Sequence, residues 1–318
     1  MSSRVRDKFW RNRRLEMLSS VARFARNRAG RNRNASGVSR QSGATSTTTI
    51  LRILNVSIWE LGLNSECFAD LAGMKAVVTG STSGIGRAIV SELSRAGAEV
   101  IVHGCRNSKA ANELAAQLQT HGKRACVVMA DLSREENLPV FVEQCWSEFD
   151  GIDIWINNAG VDLLTGEEAK LPFSQKLQRL YEVDVRATLL LSRLSGAKMS
   201  VANGGVILNI GWDQAERGME GDSGELFAAS KSAIMGFTRS LSLSLAPLVR
   251  VNCIAPGWIR TKWGEGASSA WQERVLRETP LQRWGTPEDI AVMARFLVSR
   301  EASYITGQIF NVNGGAER

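Results

Sequence analysis

Apolar residues along this chain fall into short β-branched runs separated by stretches of helical period, and the alternation begins near Leu71. Met74–Thr79 predicts a buried strand; a Gly-rich turn follows, and Ile85–Ala96 repeats apolar residues at helical spacing before Gly97 closes it. Further strands are predicted at Glu99–His103, Ala125–Ala130, Ile152–Asn157, Gly205–Ile210, Arg250–Ile254 and Gln308–Val312. Helices are predicted between them at Ala110–His121, Leu138–Phe149, Phe173–Ser195, Phe227–Leu245 and Pro287–Ser299. Strands that alternate with helices require parallel pairing and right-handed crossovers, so residues 71–318 read as one α/β domain. Its doubly wound parallel sheet has about seven strands with helices on both faces.

Upstream, the chain changes character. Residues 1–40 carry 12 Arg and Lys against Asp7 and Glu16 alone, so the net charge of +7 belongs to a tail. The body is close to neutral and lacks the extended positive field that draws in nucleic acid. Residues 1–70 are expected to be a basic, disordered extension, because their composition cannot bury enough apolar surface to offset the entropy of ordering. Leu15, Leu18, Ala22 and Ala25 nevertheless recur at helical spacing among Arg14, Arg23 and Arg26, a pattern that can fold on an anionic membrane or on nucleic acid. The Arg-rich, Ser-rich, acid-poor start also looks like an organelle transit peptide, for a eukaryotic source, or like a leader upstream of a true start at Met74. Glu16 and Arg23 break the stretch that a secretory signal would need. Cys67, Cys105, Cys126, Cys145 and Cys253 form no C-x-x-C pair, which fits a reducing, cytoplasmic setting. With His103 and His121 the only histidines, His-based triads and metal cages are nearly excluded. No apolar run reaches the roughly 18 residues of a membrane span.

The chemistry concentrates after the first strand, where the chain reads Thr79-Gly80-Ser81-Thr82-Ser83-Gly84-Ile85-Gly86. Glycines here let the backbone approach a pyrophosphate whose charge rests on the N-terminus of the next helix, as in a Rossmann fold. The Thr-Gly-x-x-x-Gly-x-Gly spacing is followed by Asp131-Leu132, Asn157-Asn158-Ala159-Gly160 and Ala228-Ala229-Ser230-Lys231. Asn252-Cys253-Ile254-Ala255-Pro256-Gly257 and Val312-Asn313-Gly314-Gly315 complete the series. Together these resemble the short-chain dehydrogenase/reductase family, and 3-oxoacyl-(acyl-carrier-protein) reductases within it. The resemblance implies a nicotinamide dinucleotide held by Gly80, Ser81, Ser83, Gly84, Ile85 and Gly86. It implies Asp131 and Leu132 at the adenine, and the Asn158, Ala159 and Gly160 turn at the adenine ribose. Lys231 would lie at the nicotinamide ribose, with Pro256, Gly257, Ile259 and Thr261 at the carboxamide and phosphates. It also implies a small carbonyl or alcohol substrate and a homo-oligomer built through the helices of Phe173–Ser195 and Phe227–Leu245. The second strand ends His103-Gly104-Cys105-Arg106-Asn107-Ser108, with no carboxylate to accept a ribose hydroxyl. Arg106 can pair a phosphate bidentately, which favours NADP(H) over NAD(H), although it can also stack on adenine or face water.

The family's Tyr-x-x-x-Lys pair does not survive intact. Its tyrosine position is Phe227, its serine falls at Gly211 or Trp212, and its asparagine is Asp184; Lys231 alone is kept. Two explanations stand side by side. The site is rebuilt around other acids, drawn from Asp184, Asp213, Glu216, Asp222 and Glu225, with Trp212 raising the pKa of a neighbouring carboxyl. Alternatively, the protein binds dinucleotide without redox chemistry, as a sensor or scaffold. Trp258, Trp263, Trp271 and Trp284 read either as an aromatic-walled substrate pocket with Trp212 or as core and interface packing.

Overall fold

Seven strands order as β3-β2-β1-β4-β5-β6-β7, every pair parallel. The computed structural model describes residues 68–120, 122, 124–163, 166–202 and 204–316. The expectations for the basic tail, Cys67, His121 and the Trp263 side chain fall outside what it describes. In chain order the elements are β1 (Lys75–Val78), α1 (Gly84–Arg95), β2 (Glu99–Gly104), α2 (Ser108–Gln119), β3 (Ala125–Met129) and α3 (Asn137–Phe149). They continue with β4 (Ile154–Asn157), α4 (Phe173–Leu180), a π-helical turn (Tyr181–Arg186), α5 (Ala187–Val201) and β5 (Gly205–Ile210). The last are α6 (Asp222–Leu245), β6 (Val249–Pro256), α7 (Lys262–Glu265), α8 (Ser269–Glu278), α9 (Pro287–Val298) and β7 (Ile309–Val312).

Side chains alternate across the sheet with a period of two, and helices cover both faces, so the strands are mostly apolar on both sides. Ala76 and Val78, Ile154 and Ile156, and Val206 and Leu208 face α1, α2 and α9. Val77, Trp155 and Ile207 face α3, α5 and α6 on the other side. The first connections run outward from β1 to β2 and β3, and the later ones run the opposite way from β4. The crevice at the carboxyl ends of β1 and β4 is therefore the topological switch point, where open α/β sheets bind ligands.

Two predicted elements differ from the structure, each for a physical reason, and one longer helix was not expected. The single helix expected over Phe173–Ser195 is α4 and α5 joined by the π-helical turn, which a 3.6-residue periodicity cannot reveal. That turn holds Asp184 buried while Tyr181 stays exposed. Helix α6 begins at Asp222, five residues before the predicted start, so Asp222 and Glu225 are first-turn residues that favour the positive end of the helix dipole. Read as sequence, these acids and their glycines resemble a loop. Helix α8 was not predicted; Ser268 caps it by accepting from the Trp271 amide at 3.4 Å.

A buried polar network secures the strand ends that carry the site. Asn157 Nδ2 donates to Ser192 Oγ and Asn209 Oδ1, both at 2.8 Å, and Asn209 Nδ2 donates to Thr238 Oγ1 at 2.9 Å. The Trp155 indole donates to Asn157 Oδ1 at 2.9 Å. Strands β4 and β5 are thereby tied to α5 and α6 by groups that water does not reach. Asn209→Leu strands an Asn157 donor and a Thr238 acceptor, so stability is expected to fall by about 3 kcal/mol in urea unfolding. A loss below about 1 kcal/mol would show that the network does not hold these elements together.

Candidate active site

The glycine turn has a shape that side chains would destroy. Gly80 and Gly84 have φ of +62° and +54°, a region in which L-residues are strained. At Gly86, an added Cβ would lie 2.3 Å from Asn158 Nδ2 and 2.4 Å from the Gly80 carbonyl oxygen. That space is used by the Asn158 amide, which donates to the Thr79 and Gly80 carbonyls at 3.0 and 3.1 Å. Thr79 Oγ1 in turn accepts from the Asn158 and Ala159 amides at 2.9 and 3.0 Å. The turns after β1 and β4 are thus stitched into one unit. Ser83 caps α1 without a side-chain bond, and no acid lies in the first turn, so the helix start is suited to an external anion.

His103 supports this turn, a role the sequence reading did not assign. It is buried at the end of β2, and its Nδ1 accepts from the Gly80 amide at 2.9 Å. The ring is therefore the Nε2–H tautomer, which donates to the Ala130 carbonyl at 3.1 Å. Burial pushes its pKa down to about 4, so it stays neutral and keeps an acceptor for Gly80. A polar residue closing an otherwise apolar buried strand was the available signal.

A cavity of about 650 Å³ opens over the turn. Of the residues expected at the coenzyme, Gly80, Ser83, Gly84, Ile85, Gly86, Asp131, Leu132, Asn158, Ala159, Gly160 and Thr261 line it. Ser81 does not: it is fully buried, and its hydroxyl accepts from the His103 amide at 2.9 Å, so it is a structural link and Thr82 lines the cavity in its place. Arg106 is exposed and lies outside the lining, beside Cys105, which does line the cavity. Asp131 accepts from the Ser133 hydroxyl at 2.7 Å and amide at 3.0 Å, and the Ser133 hydroxyl is the main cause of its lowered pKa.

A second cavity, about 290 Å³, joins the first at Ile85, Phe227 and Thr261. Trp212, Lys231, Pro256, Gly257, Trp258, Ile259 and Trp271 also line it. The Trp212 and Phe227 rings meet edge to face with centroids 6.3 Å apart. At Gly211, a Cβ would stand 2.9 Å from Cys253 Sγ, so no hydroxyl side chain fits there without displacement. Trp284 packs in a small core with Trp258 and Val275 and is not part of the lining.

The candidate acids are placed elsewhere. Asp213 is buried and accepts from Asn313 Nδ2 at 3.2 Å, Glu216 pairs with Arg239 at 3.2 Å, and Asp222 and Glu225 are exposed at the start of α6. None of the four lines either cavity. Asp184 is buried behind Lys231: its Oδ1 accepts from Lys231 Nζ at 2.9 Å, and its Oδ2 accepts from the Val161 amide at 3.0 Å. Lys231 also donates to the Ile210 carbonyl at 3.4 Å. Among the described residues lining the second cavity, Lys231 carries the one ionisable side chain.

A positive-φ glycine turn and an anion-ready helix start at a sheet switch point define a dinucleotide-binding α/β protein. Comparison with known proteins narrows this. The family model for enoyl-(acyl carrier protein) reductase matches residues 80–317. The 3-oxoacyl-[acyl-carrier-protein] reductase FabG of Aquifex aeolicus (strain VF5) is 37% identical over 252 residues, covering 77% of this chain and 98% of the relative. A structure of 7 alpha-hydroxysteroid dehydrogenase with NADH and 7-oxo glycochenodeoxycholic acid superposes with a TM-score of 0.72 at 33% identity, covering 78% of this chain and 96% of its own. A short-chain dehydrogenase from Burkholderia cenocepacia J2315 in complex with NADP gives 0.71 at 30% identity, covering 78% and 99%. The chain belongs to the short-chain dehydrogenase/reductase family of NAD(P)-dependent oxidoreductases.

The neutral, buried state of His103 makes folding sensitive to acid. In the unfolded chain this histidine takes up a proton near pH 6.5, whereas the folded protein resists until about pH 4. Stability is therefore complete above pH 6.5 and declines as pH falls through this window, by about 3 kcal/mol at its lower end. His103→Gln, which keeps both a donor and an acceptor, is expected to remove that part of the pH dependence in urea titrations. An identical slope in both proteins would contradict this role.

Proposed function

We propose that the chain binds NADP(H) across the two joined cavities and interconverts a carbonyl with an alcohol on an apolar, ring-bearing small molecule. In this reading Lys231 stands where the family's proton-exchanging groups are missing, and it meets the substrate oxygen. The observation that carries the reading is that, among the described residues, Lys231 is the one ionisable side chain on an otherwise largely apolar, aromatic wall. The coenzyme, when bound, supplies or takes a hydride. The chain's own residues do the rest. The turn from Gly80 to Gly86 presents backbone amides to the pyrophosphate, and Asp131, Leu132 and the Asn158–Gly160 turn flank the adenosine. Pro256, Gly257, Ile259 and Thr261 border the nicotinamide end. Asp184 holds and orients Lys231, while Trp212 and Phe227 exclude water from the reacting atoms.

The 2′-phosphate preference rests on Arg106 and on the absence of a carboxylate between His103 and Ser108. Exposed Phe173, Leu177 and Tyr181, spaced by four along α4 and its continuation, favour a homo-oligomer. No helix among the described residues is long and apolar enough to cross a membrane, and Cys105, Cys126, Cys145 and Cys253 are free thiols, as in a reducing cytoplasm.

The Trp212–Phe227 pair favours a second reading, a catalytically silent dinucleotide-binding protein, because two rings occupy positions where hydroxyls would act. Deuterium transfer separates the two. With coenzyme deuterated at the reactive ring carbon, the first reading expects label in at least one ring-bearing carbonyl compound. Lys231→Gln is then expected to slow that transfer by a factor on the order of 10² or more. Tight NADPH binding with no label in any acceptor would establish the silent protein instead.

A further inference from the structure

The chemistry of the Lys231–Asp184 pair narrows the substrate class, resting on the oxidoreductase reading above. Two neighbours already take N–H groups of the ammonium, the Asp184 carboxylate at 2.9 Å and the Ile210 carbonyl at 3.4 Å, which leaves one donor for a substrate oxygen. Asp184 is 1% exposed. Lys231 and Asp184 form an ion pair at 2.9 Å, and parting either charge from the other would leave it buried and uncompensated. Phe227, one helical turn earlier on α6, has no proton to give, and Gly211 has no room for a hydroxyl.

An isolated ketone that receives a hydride becomes a localised alkoxide, which requires a proton within the site. A conjugated carbonyl becomes a delocalised oxyanion, a weak base comparable to a phenolate, which a fixed cation can hold until release. The walls agree with this. Trp212, Phe227, Trp258 and Trp271 surround a space of about 290 Å³, and aromatic faces stack favourably on flat conjugated rings.

We infer that the substrates are flat conjugated carbonyl compounds, of the quinone or cyclic enone class, whose reduced oxygen leaves Lys231 as a delocalised anion. The reduced coenzyme would supply the hydride: the C–H bond at its reactive ring carbon breaks, and a C–H bond forms at the carbon β to the carbonyl. The conjugated double bond shifts and the carbonyl π pair moves onto the oxygen, leaving oxidised coenzyme. Water protonates the anion after release.

The test uses the full chain and two bicyclic probes of similar size, 1,4-naphthoquinone and the unconjugated ketone 2-tetralone, with the rate in the absence of protein subtracted. The wild type is expected to favour naphthoquinone by at least about 100-fold, and Phe227→Tyr, which adds an acid, is expected to lower that ratio at least tenfold by rescuing tetralone. A binding measurement without coenzyme gives an independent readout. By tryptophan fluorescence, 2-hydroxy-1,4-naphthoquinone, a vinylogous acid that is an anion at neutral pH, is expected to bind tighter than neutral 1,4-naphthoquinone, and Lys231→Gln to erase that preference. Equal reduction of both probes, a ratio unchanged by Phe227→Tyr, or an anion preference that survives Lys231→Gln would each overturn the inference and leave the oxidoreductase reading intact. Failure to reduce either probe or any other carbonyl with NADPH bound would overturn both.

Discussion

The amide of Asn158 occupies the space that a β-carbon on Gly86 would need, and it binds the carbonyls of Thr79 and Gly80. This contact joins the turn after β1 to the turn after β4, the two segments that flank the switch point of the sheet. It explains why the first helical turn carries glycine in spite of that residue's poor helix propensity. His103 holds the same turn from the other side through the Gly80 amide. Backbone amides at the start of α1 are left oriented toward the cavity, because neither Ser83 nor an acidic residue of the first turn engages them. Coenzyme binding in this fold is a property of backbone held in place by two side chains, more than of any side chain that touches the ligand.

The second cavity follows from a different constraint, charge balance. With a phenylalanine at position 227, the Lys231 ammonium has no phenol beside it, and the buried Asp184 supplies a compensating charge. The π-helical turn delivers that carboxylate to the interior, and its second oxygen reaches the Val161 amide, beyond the Asn158–Gly160 turn. The Lys231–Asp184 pair is thereby satisfied on its buried side, at the edge of an aromatic-lined chamber.

Much of the architecture was legible in the sequence because strands buried on both faces are written as short, largely apolar runs. Met74–Thr79 and Gly205–Ile210 coincide with β1 and β5 to within a residue. The turn chemistry was equally plain, since positive φ at Gly80 and Gly84 excludes most other residues. What escaped depended on three-dimensional pairing. Ser81 and Thr82 are alike in sequence, yet the register of β1 against β2 buries the first against His103 and turns the second toward the cavity. Asp213, Glu216 and Asp184 are each carboxylates near the site in sequence. Only the fold shows one tied to Asn313, one to Arg239 and one to Lys231. Helix α8 was missed because contacts from distant residues support it: Val275 packs against Trp258 and Trp284, and Arg274 binds Glu220 at 2.8 Å.

The account stands on a glycine turn shaped for a dinucleotide, and calorimetric titration of NADPH into the purified chain tests that claim most directly. Micromolar binding is predicted for the wild type. Gly86→Ala, checked for retained fold by circular dichroism, is predicted to weaken it at least about tenfold, since the added methyl displaces Asn158. No heat of binding from the folded wild-type chain at millimolar coenzyme, or equal affinity in the folded variant, would contradict it.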